Sequence, residues 1–200
     1  MPECGYEPVT MNTITDDQNE GRFIRLLRAR SQTYREATFF QAIQLIFVLA
    51  APAIGTITSL FFPGLRPHIA AFALAIAVLD TAWLDRSLRR RVKAAAKISE
   101  QFDCELLEMP WNDLAAGSKL DPEHISAAAN AWRGGDKKLR DWYPAAVRSE
   151  PLAVARAVCQ RTNAWYDGRL RQRYGTALLC IMGAAFTGAF LAGVFAGISL

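Results

Sequence analysis

The sequence predicts an all-α membrane protein, with room for minor β structure in its soluble part. Three stretches carry this expectation. Residues 39–62 (FFQAIQLIFVLAAPAIGTITSLFF) hold no charged side chain, 175–200 hold none, and 69–84 hold Asp80 alone. A hydrocarbon core about 30 Å thick takes roughly 20 apolar helical residues at 1.5 Å each. The first and third runs meet that length outright, and the second meets it once 65–68 are drawn in. Whole-chain averages conceal the pattern, because 200 residues with 21% charged side chains would pass for an ordinary soluble domain. A helix of a soluble protein normally keeps a polar face, which these runs lack. A secretory signal peptide is a poor reading, because the first apolar run begins near residue 39, without a short basic segment at the N-terminus.

Taken in order, residues 1–17 are polar, carry Pro2 and Pro8, and read as a flexible tail. Residues 18–38 read as a basic amphipathic helix leading into the first transmembrane helix, 39–62. The segment Phe62-Pro63-Gly64-Leu65-Arg66-Pro67 ends one helix and starts the next, so 39–62 and 65–84 form a tight hairpin. The basic stretch DRSLRRRVKAAAKISEQFD then continues the second span and opens a soluble domain over 85–174. Within it, Phe102–Glu108 alternates weakly and fits a short strand or a loop. Asp121-Pro122-Glu123 is a helix start and Gly134-Gly135 a stop. From Ser149-Glu150-Pro151 no breaker interrupts a helix running to Leu200, about 75 Å of rod whose last part, 175–200, is the third span.

The arginines set the expected orientation. Arg22, Arg25, Arg28, Arg30 and Arg35 precede the first span, Arg86, Arg89, Arg90, Arg91 and Lys93 follow the second, and Arg169, Arg171 and Arg173 precede the third. The hairpin turn carries Arg66 alone. The positive-inside bias therefore places the N-terminus and 85–174 in the cytoplasm.

Asp80 is the acid inside a span, and a carboxylate in hydrocarbon marks either a polar path or a bonded partner. It shares a helical face with Ala70, Ala73 and Ala77, small enough for another helix to approach closely. Gln41 and Gln44 lie at similar depth on the first span. An Asp80–Gln44 hydrogen bond inside the hairpin is the structural reading, and pore lining the functional one. Ala185, Ala189, Gly193 and Gly197 recur at four-residue steps on the third span, a pattern of close helix contact within or between molecules. In 159–174 (CQRTNAWYDGRLRQRY), Arg161 and Arg169 accompany Trp165 and Tyr166, and Trp142 and Tyr143 lie upstream. Such residues suit a nucleotide, with guanidinium forks for phosphate and flat rings for bases. They equally suit lipid headgroups beside a span.

The sequence carries no sign of catalysis, since no nucleophile–base–orienter set and no phosphate loop appears. Cys4, Cys104, Cys159 and Cys180 are scattered and accompanied by only His68 and His124, so neither a disulfide framework nor a metal or other cofactor is implied. The net charge of +4 is explained by the juxtamembrane arginines without DNA or RNA as a partner.

The order of these pieces resembles one family. A basic N-terminal helix and a two-span hairpin are followed by FDCELLEMPWNDLAAG at 102–117, DWYP at 141–144 and CQRTNAWYDGRLRQRY before another span. The likeness is to the SMODS-associating four-transmembrane effectors, pore-forming proteins of bacterial anti-phage systems, over roughly residues 18–200. It implies a functional partner, a cyclic-oligonucleotide-producing nucleotidyltransferase, and a homo-oligomer that permeabilises the inner membrane when a cyclic nucleotide signal is made. The signature positions include Phe102, Asp103, Cys104, Pro110, Trp111, Asn112, Asp141, Trp142, Tyr143, Pro144, Cys159, Gln160, Arg161, Asn163, Trp165 and Arg169, with no individual role implied for any of them. The family has four spans and this sequence shows three, so the fourth either lies beyond Leu200 or is missing from this member. Without a pore, the alternative is a membrane anchor or assembly subunit whose cytosolic domain binds a protein. A transporter fits less well, because one intramembrane acid and no broken helix make a thin substrate path.

Overall fold

Runs free of glycine and proline, such as 22–51 and 85–109, favour helix, and the longest helices continue through Pro52 and Gly55 and through the glycines of 168–193. The computed structural model describes residues 12–195, apart from the side chains of Ser59, Leu60, Ala192 and Phe195. Its elements are α1 (Ile14–Asp17), α2 (Gly21–Phe61), α3 (Arg66–Leu79), α4 (Asp85–Leu106), α5 (Asp113–Ala116), α6 (Pro122–Ala131) and α7 (Leu152–Phe195). A 3₁₀ turn, Pro63–Leu65, joins α2 to α3, and a π-helical turn, Asp80–Leu84, joins α3 to α4. Among the described residues there is no strand. The stretch open to a strand or loop reading, Phe102–Glu108, is helical as far as Leu106 because Ile98, Phe102 and Leu106 recur at four-residue spacing and are all buried.

The chain divides into two units, residues 1–35 with 92–166 and residues 36–91 with 167–200. The first has a hydrophobic core. Phe23, Ile24 and Leu27 of α2, Ile98 and Phe102 of α4, Ile125 and Ala129 of α6, and Ala155 and Cys159 of α7 are buried together. Phe23 meets Phe102 edge-on with centroids 5.9 Å apart, and Phe102 stacks on Tyr143 at 6.2 Å. Asp121 occupies the expected start of α6, with Pro122 at its first position, but its side chain makes no capping bond. Asn112 does cap α5, accepting from the N–H groups of Leu114 and Ala115 at 3.0 and 3.1 Å.

Residues 12–17, expected as part of a flexible tail, are instead built into this unit. Ile14 is buried, and the buried Asn12 amide donates to the carbonyls of Val147 (2.8 Å) and Glu150 (2.7 Å). Gln18 accepts from the Tyr143 N–H at 2.7 Å and donates to the Tyr143 carbonyl at 3.3 Å. Asn19 exchanges two bonds with Asp141, whose backbone is held at φ 51. The physical reason is that buried main-chain groups of 141–150 need partners, and the polar side chains of 12–19 supply them.

The second unit contains the apolar runs. Among the described residues, three helices carry windows long and apolar enough to cross a membrane, and 6%, 6% and 0% of those windows is buried within the chain. Phe47, Ile54, Phe72, Leu74, Phe186 and Phe190 are all exposed. The contacts between the two arms of the hairpin step in opposite directions along them. Arg91 lies 4.0 Å over the Phe40 ring, Phe40 meets Trp83 at 5.9 Å, and Gln44 bonds Asp80. At Gly55 an added Cβ would sit 3.1 Å from the Ile69 side chain, so the glycine lets the arms approach closely there.

Candidate functional site

Three of the sequence stretches that carry the family resemblance lie in the first unit and converge on one polar knot. Asp103 comes from α4, Tyr143 from the segment between α6 and α7, and Asn163 from α7. The Tyr143 hydroxyl donates to Asp103 Oδ1 at 2.6 Å, and Asn163 Nδ2 donates to Asp103 Oδ2 at 2.9 Å and to the Tyr143 hydroxyl oxygen at 2.7 Å. Burial pushes the Asp103 carboxyl up to about 6, even though both hydrogen bonds and nearby Arg30 favour the anion. Burial raises the Tyr143 phenol too, reinforced by the Asp103 charge, and for the same two reasons the Cys159 thiol is pushed up to about 11. Trp142 closes one side, edge-on to Phe102 at 6.4 Å with the Arg30 guanidinium 4.7 Å from its ring.

A second clamp sits beside it. Arg156 donates from Nε to the Leu107 carbonyl at 2.6 Å and from a terminal nitrogen to the Glu108 carbonyl at 2.8 Å. Glu108 has φ 52, a left-handed conformation that costs a non-glycine residue energy and is held here by the guanidinium fork.

The six residues proposed from sequence as signal or headgroup contacts fall into two groups. Tyr143 is buried and Trp142 partly so, and both belong to the core around Asp103. Arg161, Trp165, Tyr166 and Arg169 lie on exposed parts of α7, with the Trp165 and Tyr166 rings edge-to-face at 5.0 Å. Asn12, Gln18 and Arg156 were not anticipated. Their partners are mostly main-chain atoms distant in sequence, which leave no local pattern.

In the membrane-type unit, Gln44 Nε2 donates to Asp80 Oδ2 at 3.2 Å, while the other carboxylate oxygen is buried without a hydrogen-bond partner. Asp80 opens the π turn, where its carbonyl accepts from the N–H of Asp85. Gln41 donates to the Tyr174 hydroxyl. Ala185 and Ala189 are exposed, and an added Cβ at Gly193 would meet no atom within 4 Å. Gly197 lies outside the described residues. Among those residues, no cluster of metal-ligating side chains occurs.

The comparison that decides the family is with the SMODS-associating 4TM effector domain, whose model matches residues 12–200. The chain belongs to this family. The chain is also 24% identical over 174 residues to a probable CBASS effector molecule of Bacillus cereus (strain VD146), a match that covers 84% of this chain and 58% of the relative's length. No solved structure matches. Within the SMODS-associating 4TM effector domain, FDC at 102–104, DWYP at 141–144 and CQRTNAW at 159–165 therefore meet at the Asp103 knot and the packing around it. Asp103, Tyr143 and Asn163, one from each stretch, satisfy one another's polar groups.

Proposed function

We propose that this chain is the membrane-perturbing part of a CBASS effector, which assembles as a homo-oligomer and permeabilises the bacterial inner membrane when a partner nucleotidyltransferase makes a nucleotide signal. The observation that carries the reading is Asp80. A carboxylate on a membrane-length hairpin is costly unless it is paired or faces water, and here Gln44 satisfies only one of its two oxygens. An oxygen buried and unbonded within one chain supports a hairpin that rearranges on assembly, turning this carboxylate to water or to a neighbouring subunit. The barely buried apolar windows support insertion, and the arginine distribution supports a cytoplasmic N-terminus and 85–174 domain. The relative's designation supports the defence role.

The test is induction together with the nucleotidyltransferase while membrane potential and dye entry are followed. Depolarisation and dye entry that Asp80→Leu abolishes and Asp80→Asn retains are expected. A polarised, dye-tight membrane in cells whose signal synthesis is verified would overturn the reading. The second reading, a non-pore anchor, draws on the Gln44–Asp80 bond, which is the internal pairing a purely structural acid would make. Gly193→Leu separates the two, because an added Cβ there meets no atom within 4 Å among the described residues. A pore-former loses toxicity with its oligomers, whereas an anchor keeps its soluble partner.

A further inference from the structure

Away from the Asp103 knot, the soluble unit has a surface cavity of about 450 Å³, within the size range of small-ligand sites. Arg28, Asn130, Trp132, Gly134, Gly135 and Asp136 line it. Arg25, Arg28 and Arg35 lie at helical spacing along α2, and each reaches toward α6 or the segment after it. Arg25 bonds the Ser126 hydroxyl, Arg28 holds Asp136 through both carboxylate oxygens, and Arg35 lies 5.7 Å from the Trp132 ring. Arg140 is also near enough to help hold the Asp136 carboxyl below its ordinary range, and Arg133, Lys137 and Lys138 are exposed on the same segment. The cavity wall thus holds one acid paired with one cation, with further cations on the surrounding surface.

The remaining groups suit a flat, polar partner. The Trp132 indole folds against Gly134, where an added Cβ would lie 2.0 Å from the ring, and its N–H is buried without an acceptor. The exposed Asn130 amide can donate and accept at a base edge. The Arg28–Asp136 pair uses two of the five guanidinium N–H groups, which leaves donors on a side chain still 42% exposed.

We propose that this cavity binds one phosphate and one base of a cyclic oligonucleotide, the phosphate competing with Asp136 for Arg28 and the base lying against Trp132. The assignment rests on the signal-gated reading above and gives that signal a location. It also makes the Arg28–Asp136 pair the contact that the ligand exchanges.

The test is equilibrium binding to the full chain in detergent micelles. The probes are cyclic di-AMP, cyclic GMP–AMP and cyclic tri-AMP, with AMP and inorganic phosphate as separate arms. The test variant is Gly135→Glu, at a position where an added Cβ meets no atom within 4 Å and φ is −76. The expected result is binding of at least one cyclic probe, weakened tenfold or more by Gly135→Glu at unchanged melting temperature and tightened by Asp136→Asn. Equal binding by wild type, Gly135→Glu and Trp132→Leu would place the signal elsewhere and overturn the proposal. So would binding of none of the cyclic probes, or inorganic phosphate binding as tightly as they do. Each of these results leaves the permeabilisation reading to its own leakage assay.

Discussion

Replacing Tyr143 with phenylalanine tests the Asp103 knot most directly. Phenylalanine keeps the ring that stacks on Phe102 and removes only the hydroxyl, which donates to Asp103 at 2.6 Å and accepts from Asn163 at 2.7 Å. A hydrogen bond to a charged group contributes about 1.5–3 kcal/mol and a neutral one roughly 0.5–1.5. The loss expected at pH 8 is therefore on the order of 2–4 kcal/mol. The pH dependence is the sharper part. Asp103 is pushed up from 3.8 to about 6 in the folded chain, so folding holds its proton more tightly than the unfolded chain does. The stability linked to this group is thus fully present below pH 4, declines through pH 4–6 and is flat above, a span of about 3 kcal/mol. Without the phenol donor, the anion is disfavoured further. The gap between wild type and variant should then be widest at pH 8 and narrow markedly at pH 5, where the acid is protonated in both. Thermal unfolding of the full chain in detergent, followed by tryptophan fluorescence at the two pH values, measures it. The same gap at pH 5 and pH 8, or less than about 0.5 kcal/mol at pH 8, would refute the account.

Three further outcomes are expected. Arg156→Ala should destabilise the soluble unit by about 1.5–3 kcal/mol, and Arg156→Lys should recover little of it because an ammonium lacks the fork that spans two carbonyls; denaturant melts of both decide this. Cys159, buried and with its thiol pushed up to about 11, should resist maleimide at pH 8 in the folded chain and react in denaturant, as read by peptide mass. Gly134→Ala should displace the Trp132 indole, since the new methyl would overlap its ring, giving a shifted tryptophan emission and a lowered melting temperature.

The membrane-length runs were legible because the absence of charge over 39–62 and 175–200 is complete, and no fold of a single chain hides that signal. The Gln44–Asp80 contact was legible too, because both side chains lie at similar depth on the arms of a hairpin with a short turn. The Asp103 knot was not. Trp142 and Tyr143 are amphipathic, and their sequence neighbourhood reads the same whether the ring points at a ligand, at lipid or inward. Only the partners decide, and they come from α4 and α7. The weak alternation at 102–108 misled for a related reason. A period of two over so few residues cannot compete with the longer spacing from Ile98 through Phe102 to Leu106.

The first unit is assembled from two separate lengths of chain, and that orders its biogenesis. Asn12, Gln18, Phe23 and Leu27 leave the ribosome first, yet their partners at 98–159 follow only after the whole hairpin of 36–91 has been made. Synthesis proceeds from the N-terminus, so the front half of α2 waits with its apolar face uncovered while the hairpin is being produced. This first unit is therefore completed late, and a nascent chain stalled before residue 159 would present Phe23 and Leu27 to chaperones or proteases instead of to their own core.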